Sequence, residues 1–179
     1  MEKLERRKLA LLHEILARLT EDEDAADYHR QRVTVLEEGF TAEYDDEFVN
    51  LRDELAEDEC RLLWEILDMF RAVEASYERL SAEEQAQFSK YEQHQLLFQG
   101  FDFNRPREYR MVAYMRFLVA TDRWTEFARH LGPDRDNGNS HAEMLPHYQQ
   151  MLEAFNVLKQ QRLNLFELDV DALRRLLPS

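Results

Sequence analysis

Cysteine is nearly absent from this chain. Its one residue, Cys60, cannot close an internal disulfide, which points to a fold held by packing alone in a reducing cytoplasm. Its neighbours at helical spacing are apolar, so it reads as a buried structural thiol. Glycine and proline are also scarce, at four each in 179 residues. Too few tight turns remain for an all-β sandwich, and long helices are favoured. No stretch approaches the ~20 apolar residues that span a bilayer. The opening MEKLERRKLALLHEILARL is interrupted by charge throughout and lacks the small-residue cleavage site of a signal peptide. No membrane role is expected, and the implied location is cytoplasmic. Positive charge is in deficit as well. Lys and Arg number 23 against 37 Asp and Glu, a net charge of −14. That field repels phosphate backbones, so direct nucleic-acid binding is not expected. It suits a basic partner, or an acidic mimic that inhibits a nucleic-acid-binding protein.

What is present is hydrophobic periodicity at helical spacing. Leu9, Leu12, Leu16 and Leu19 predict an amphipathic helix over 3–19. Thr20 with Glu23 has the spacing of a capping box for a second helix, which runs to about Glu38 and stops at Gly39. Tyr28, Val33 and Leu36 are its expected buried face. Thr41 is placed to cap a short third helix that buries Phe48 and Leu51. The strongest signal follows: Cys60, Leu63, Ile66, Phe70, Val73, Tyr77 and Leu80 fall on a three-four repeat, widened by Leu62, Trp64, Leu67 and Met69. This predicts a central buried helix over about 57–80, contacted on more than one side.

Ser81 with Glu84 repeats the capping-box spacing. LLFQGFDF, Leu96 to Phe103, breaks the period and reads as an extended connection turning at Gly100. Asn104 then precedes a helix opened by Pro106, with Trp124, Phe127 and Leu131 on the helix after it. GPDRDNGN, Gly132 to Asn139, is a loop. Ser140 with Glu143 has a third capping-box spacing. Tyr148, Met151, Phe155 and Leu158 mark one late helix, and Val170, Leu173, Leu176 and Leu177 the last. No repeat or low-complexity linker divides the chain. The expectation is an all-α fold, one multi-helix bundle domain over 1–179.

Motifs that carry chemistry are missing. DRDNGN resembles a calcium loop, but from Asp134 the glycine falls at the fifth position and Leu145 at the twelfth. His141 and His147 are six apart across Pro146, unlike the i, i+4 pairs that ligate zinc, and His13, His29, His94 and His130 are dispersed. There is no P-loop, no GxGxxG and no GxSxG elbow. No cofactor, metal or catalytic residue set is expected. The basic run Lys3, Arg6, Arg7, Lys8 reads as a solvated helix face.

Several spelled segments, in order, resemble the YfbU family of bacterial proteins over about residues 5–177. They are EEGF (Glu37 to Phe40), WEILDMFRA (Trp64 to Ala72), FQGFDFN (Phe98 to Asn104), NSH (Asn139 to His141) and ML…YQQML (Met144 to Leu152). The chain departs from the family pattern at Leu12-His13 and at Phe103, where the family tends towards glycine. The resemblance implies an all-helical, single-domain, cytoplasmic protein. It brings no established role, no cofactor and no catalytic residues.

Its polar motif residues lie in two irregular stretches, Asp102 and Asn104 in one, Asn139, Ser140 and His141 in the other. Such stretches are where a rigid scaffold often carries binding groups. Asp102 is placed to orient the His141 ring, with Asn104 and Asn139 as ligand donors and Tyr148 as a pocket wall. The competing account makes Asn104 and Ser140 plain helix caps. The leading functional expectation is a non-enzymatic interaction or regulatory protein that forms a homodimer and meets an unidentified protein partner. A polar site for a small ligand or reaction at Asp102, Asn104, Asn139, Ser140 and His141 is the alternative. An exposed contiguous apolar patch would favour the first, convergence of those side chains in one pocket the second.

Overall fold

The protein is described by a computed structural model that covers residues 1–161 and 164–178. The expected all-α class is what it has. Eight α-helices occur among the described residues: α1 (Lys3–Leu19), α2 (Glu23–Glu38), α3 (Glu57–Arg79), α4 (Ala82–Gln85), α5 (Lys90–Leu96), α6 (Pro106–Ala120), α7 (Leu145–Gln161) and α8 (Val170–Leu176). Three 3-10 segments join them, Thr41–Glu47, Thr125–His130 and Pro133–Gly138. The described residues form no strand beyond one isolated parallel bridge, Phe101 with Asn139. The chain divides into two compact units, Met1–Glu54 and Leu55–Ser179.

The first unit is a hairpin of α1 and α2 closed by the Thr41–Glu47 turn. Asp22, rather than Thr20, caps α2, its carboxylate accepting the Ala25 N–H at 2.9 Å. Gly39 ends the helix in the left-handed region, φ +78°, as the sequence predicts. Its buried apolar residues are Ala10, Ala26, Leu36 and Tyr44. Phe48 and Leu51, expected inside, are exposed, and Tyr44 is buried in their place.

Much of this interior is polar. Arg32 donates to Glu47 at 2.7 Å, to Asp46 at 3.3 Å and to the Glu43 carbonyl at 2.6 Å. Glu47 also pairs with His13 Nε2 at 3.0 Å, and His13 Nδ1 lies 2.9 Å from His29 Nδ1. Burial pushes the Glu47 carboxyl up. Its hydrogen bonds from His13 and Arg32 outweigh that and hold it below the usual carboxylate range.

The second unit is built round α3. Leu63, Ile66, Leu67, Met69, Phe70 and Val73 have no exposed surface, which places the helix at the core as its repeat predicts. Cys60, at its first turn, is only half-buried. Phe70 packs edge-on against Phe98 and Tyr148, and Phe98 in turn against Phe101 and Phe127. Edge-to-face contact suits the ring quadrupoles, so this aromatic cluster fixes the irregular segment after α5 on the side of α3. Ser81 with Glu84 and Ser89 with Glu92 make reciprocal capping boxes at α4 and α5.

Candidate functional site

The two irregular stretches meet within the second unit. Phe101 N–H donates to the Gly138 carbonyl at 2.9 Å and Ser140 N–H to the Phe101 carbonyl at 3.1 Å, forming the parallel bridge. Gly100 permits this approach. Its φ is +86°, and a Cβ there would sit 2.2 Å from the Gly138 oxygen.

Two buried groups hold the junction. The Tyr148 hydroxyl donates to the Gly100 carbonyl and accepts the Gln99 N–H, both at 2.9 Å. Burial raises its pKa well above the usual phenol range. Glu108, in the first turn of α6, accepts the Asp102 N–H at 2.6 Å, Met144 N–H at 2.9 Å and Leu145 N–H at 2.7 Å. One carboxylate on α6 thereby caps α7, where negative charge is favoured at a helix N-terminus. That is the task the sequence assigns to Ser140.

The predicted polar residues are mostly engaged with their own neighbours. Asp102 is buried and accepts the backbone and side-chain N–H of Asn104 at 2.9 and 3.0 Å. Asn139 Oδ1 accepts the Phe103 and His141 N–H groups, both at 3.2 Å. Ser140 Oγ donates to the Ala142 carbonyl at 2.6 Å. His141 is exposed, with φ +55°, and its acid partner is Asp136 at 2.6 Å, not Asp102. Neither Asn104 nor Ser140 caps a helix: α6 is preceded by Arg105 without a side-chain cap.

Beside the junction lie two recesses. One, of about 330 Å³, is bordered by His94, Phe98, Gln99, His130, Asn139 and Ser140. The other, of about 350 Å³, reaches Glu74, Glu78, Leu97 and Arg129. His130, Asp134 and Arg135 border both. Sequence reasoning passes over the Glu74–His130 pair, of which His130 borders both recesses and Glu74 the second. The two residues lie far apart in sequence and belong to no short motif.

Glu74 comes from α3 and accepts the Phe98 N–H at 2.9 Å. Arg129 forms a short ion pair with it, and His130 Nε2 is 3.5 Å away. Burial pushes the carboxyl up, yet the hydrogen bonds from His130 and Phe98 and the neighbouring Arg129 prevail and keep it below the usual range. His130 Nε2 also lies 3.3 Å from Arg129 Nε. As a neutral acceptor it serves Arg129, and as a donor it serves Glu74. Among the described residues, no three His, Cys, Asp or Glu side chains converge to hold a metal ion.

The first unit presents a different feature. On α1, Leu4, Leu11, Leu12, Ile15, Leu16 and Leu19 are all exposed, Leu19 at 73% and Leu4 at 65%. They follow a helical stripe interrupted by Lys8 and Glu5, which pair with each other at 2.8 Å. No described helix is long and apolar enough to cross a membrane.

Comparison with known proteins agrees with the spelled segments. The YfbU domain family matches residues 1–175. A UPF0304 protein of Methanocaldococcus jannaschii is 30% identical over 159 residues, 86% of this chain and 86% of its own length. The chain belongs to the YfbU family.

Proposed function

We propose that this protein is a non-enzymatic helical interaction protein of the cytoplasm, homodimeric, which makes its contacts through the outer face of α1. The observation that carries the reading is the inverted distribution of apolar side chains in the first unit. The buried apolar residues are Ala10, Ala26, Leu36 and Tyr44, whereas six Leu and Ile side chains of α1 face out. Each is 41–73% exposed, so covering it recovers part of the about 1.5–3 kcal/mol of a full burial, and exposed apolar patches mark interaction sites.

Light scattering at high micromolar protein tests it. The expected mass is twice 21.5 kDa. Ile15→Glu combined with Leu19→Glu is expected to give the monomer with helical content unchanged. A wild-type monomer under those conditions refutes the self-association.

A second reading is favoured by the Glu74–His130 pair: a small polar ligand in the recesses beside the junction. Asn139 and Ser140 border that space, whereas Asp102 and His141 are engaged elsewhere. A fragment screen followed by amide shifts tests it. Shifts clustered at Gln99, His130 and Ser140, and lost in His130→Gln, support the reading. Shifts scattered over the surface discard it.

A further inference from the structure

Inside the first unit, three elements bring titratable side chains to one place. His13 comes from α1, Tyr28, His29 and Arg32 from α2, and Asp46 and Glu47 from the Thr41–Glu47 turn. Glu47 is the anchor. Its Oε1 accepts the Arg32 Nε–H at 2.7 Å and its Oε2 faces His13 Nε2 at 3.0 Å. The Glu47 and Arg32 side chains are 6% and 5% exposed and that of His13 13%, so water does little to screen these contacts. Asp46, the second carboxylate, is 61% exposed. The Tyr28 ring lies edge-on to both imidazoles, with centroids 6.4 and 5.5 Å away.

The proton positions follow from these contacts. An ionised carboxylate only accepts, so His13 Nε2 carries a hydrogen as long as Glu47 is charged. On the other side of the ring, His13 Nδ1 and His29 Nδ1 are 2.9 Å apart. At that distance one nitrogen donates and the other accepts. With no added proton, His29 Nδ1–H donates to a bare His13 Nδ1. With one added proton, His13 is an imidazolium between Glu47 and His29, and its Nδ1–H donates to a bare His29 Nδ1. Both states keep every bond. A second proton sets two N–H groups against each other and places two imidazolium rings and the Arg32 guanidinium around one buried carboxylate.

From this geometry we infer that His13 and His29 form a dyad for a single proton, an acid-sensitive latch that holds the Thr41–Glu47 turn on the α1–α2 hairpin. The first proton strengthens the latch, because it makes the His13–Glu47 contact a charged pair. The second forces the rings apart, and the turn that His13 and Arg32 hold through Glu47 is released. In the released form each ring is free to hold a proton, so the open form binds two where the closed form binds one. The closed form therefore loses ground as pH falls, by about tenfold per pH unit once the imidazoles of the open form are charged. Glu47 is held below the usual carboxylate range, so it stays ionised while imidazoles titrate, and the loss in that range belongs to the rings. The latch does not depend on what covers the outer face of α1.

Nitrogen-15 NMR of the full-length protein from about pH 7.5 to 5, where imidazoles titrate, tests it. The rings of His13 and His29 are expected to titrate in two separate steps, with one bare Nδ1 left between them after the first. The second step is expected to coincide with faster solvent exchange of the Arg32 Nε–H and the Phe48 amide, which bond Glu47 and Asp45 in the closed turn. After correction for intrinsic rates, that exchange rises about tenfold per pH unit. His29→Gln keeps a donor and an acceptor opposite His13 and takes no second proton, so its corrected exchange is expected to be flat with pH. Two rings that titrate together in one step, or corrected exchange that is flat in the wild type, overturn the dyad. So does a His29→Gln protein with the wild-type pH dependence. If His29→Gln fails to fold, the wild-type titration decides alone.

Discussion

Glu108→Gln tests the junction of the second unit at its centre. The carboxylate is 1% exposed and accepts three backbone N–H groups, two on Oε1 from Met144 and Leu145 and one on Oε2 from Asp102. Glutamine has the same shape but only one acceptor oxygen. If that oxygen keeps Met144 and Leu145, the amide NH2 faces the Asp102 N–H, donor against donor. The loss then has two parts. Two charge-assisted bonds become neutral, about 1–2 kcal/mol, and one buried N–H is orphaned, about 1–3 kcal/mol. The sum is about 2–5 kcal/mol, a large share of the stability of an ordinary domain. Urea unfolding with an unchanged m-value measures it. Amide exchange at Asp102, Met144 and Leu145 is expected to accelerate together. A loss below about 1 kcal/mol, or acceleration at only one of the three, refutes the role of Glu108 as a shared clasp.

Two further perturbations address neighbouring features. Gly100→Ala combines a left-handed φ of +86° with a Cβ 2.2 Å from the Gly138 oxygen; thermal or urea unfolding is expected to record a loss of roughly 3 kcal/mol or more, since neither backbone atom can yield cheaply. Glu74 gives a pH dependence. Its folded-state pKa lies below the ordinary value, so its contribution is complete above the ordinary carboxylate pKa and is lost as pH falls through the folded value. Stability against pH between about 5 and 3 is expected to fall less steeply in Glu74→Gln than in the wild type, and equal slopes contradict the assignment.

What the sequence revealed was the structure that depends on local spacing. The repeat from Leu63 to Val73 identified the central helix because a face buried on several sides leaves a wide apolar stripe. Gly39 and the Ser81–Glu84 pair marked helix ends for equally local reasons, a left-handed C-terminus and a reciprocal cap.

The misplaced features are ones in which a distant residue takes over a local task. Ser140 has the spacing of a cap, but Glu108 of α6 reaches the α7 N–H groups first. Asn104 turns back onto Asp102 instead of capping α6. Thr20 bonds its own Leu16 carbonyl and leaves the capping of α2 to Asp22. Phe48 and Leu51 have apolar spacing but lie outside the hairpin core, where the buried Arg32–Glu47 pair occupies the space. The backbone joins the two stretches that the resemblance brought forward. His141 takes Asp136 and not Asp102 as its acid partner, and a buried acid–imidazole contact lies at Glu74 and His130, which no short spacing connects.

The bridge between Phe101 and Asn139 has a kinetic consequence. It closes a chain segment that contains all of α6 and two 3-10 turns. For a flexible loop of that length, closure costs about 3 kcal/mol of chain entropy before any contact compensates it. Formation of α6 beforehand stiffens and shortens the span and lowers that barrier. The bridge and the Tyr148 hydroxyl bonds join residues on the two sides of this loop, and Glu108 within it bonds Met144 and Leu145 beyond it. Closure of this loop is therefore favoured once α6 has formed, and the residues it contributes, Phe101, Met111, Val112, Met115, Leu118 and Phe127, pack into the same core as α3.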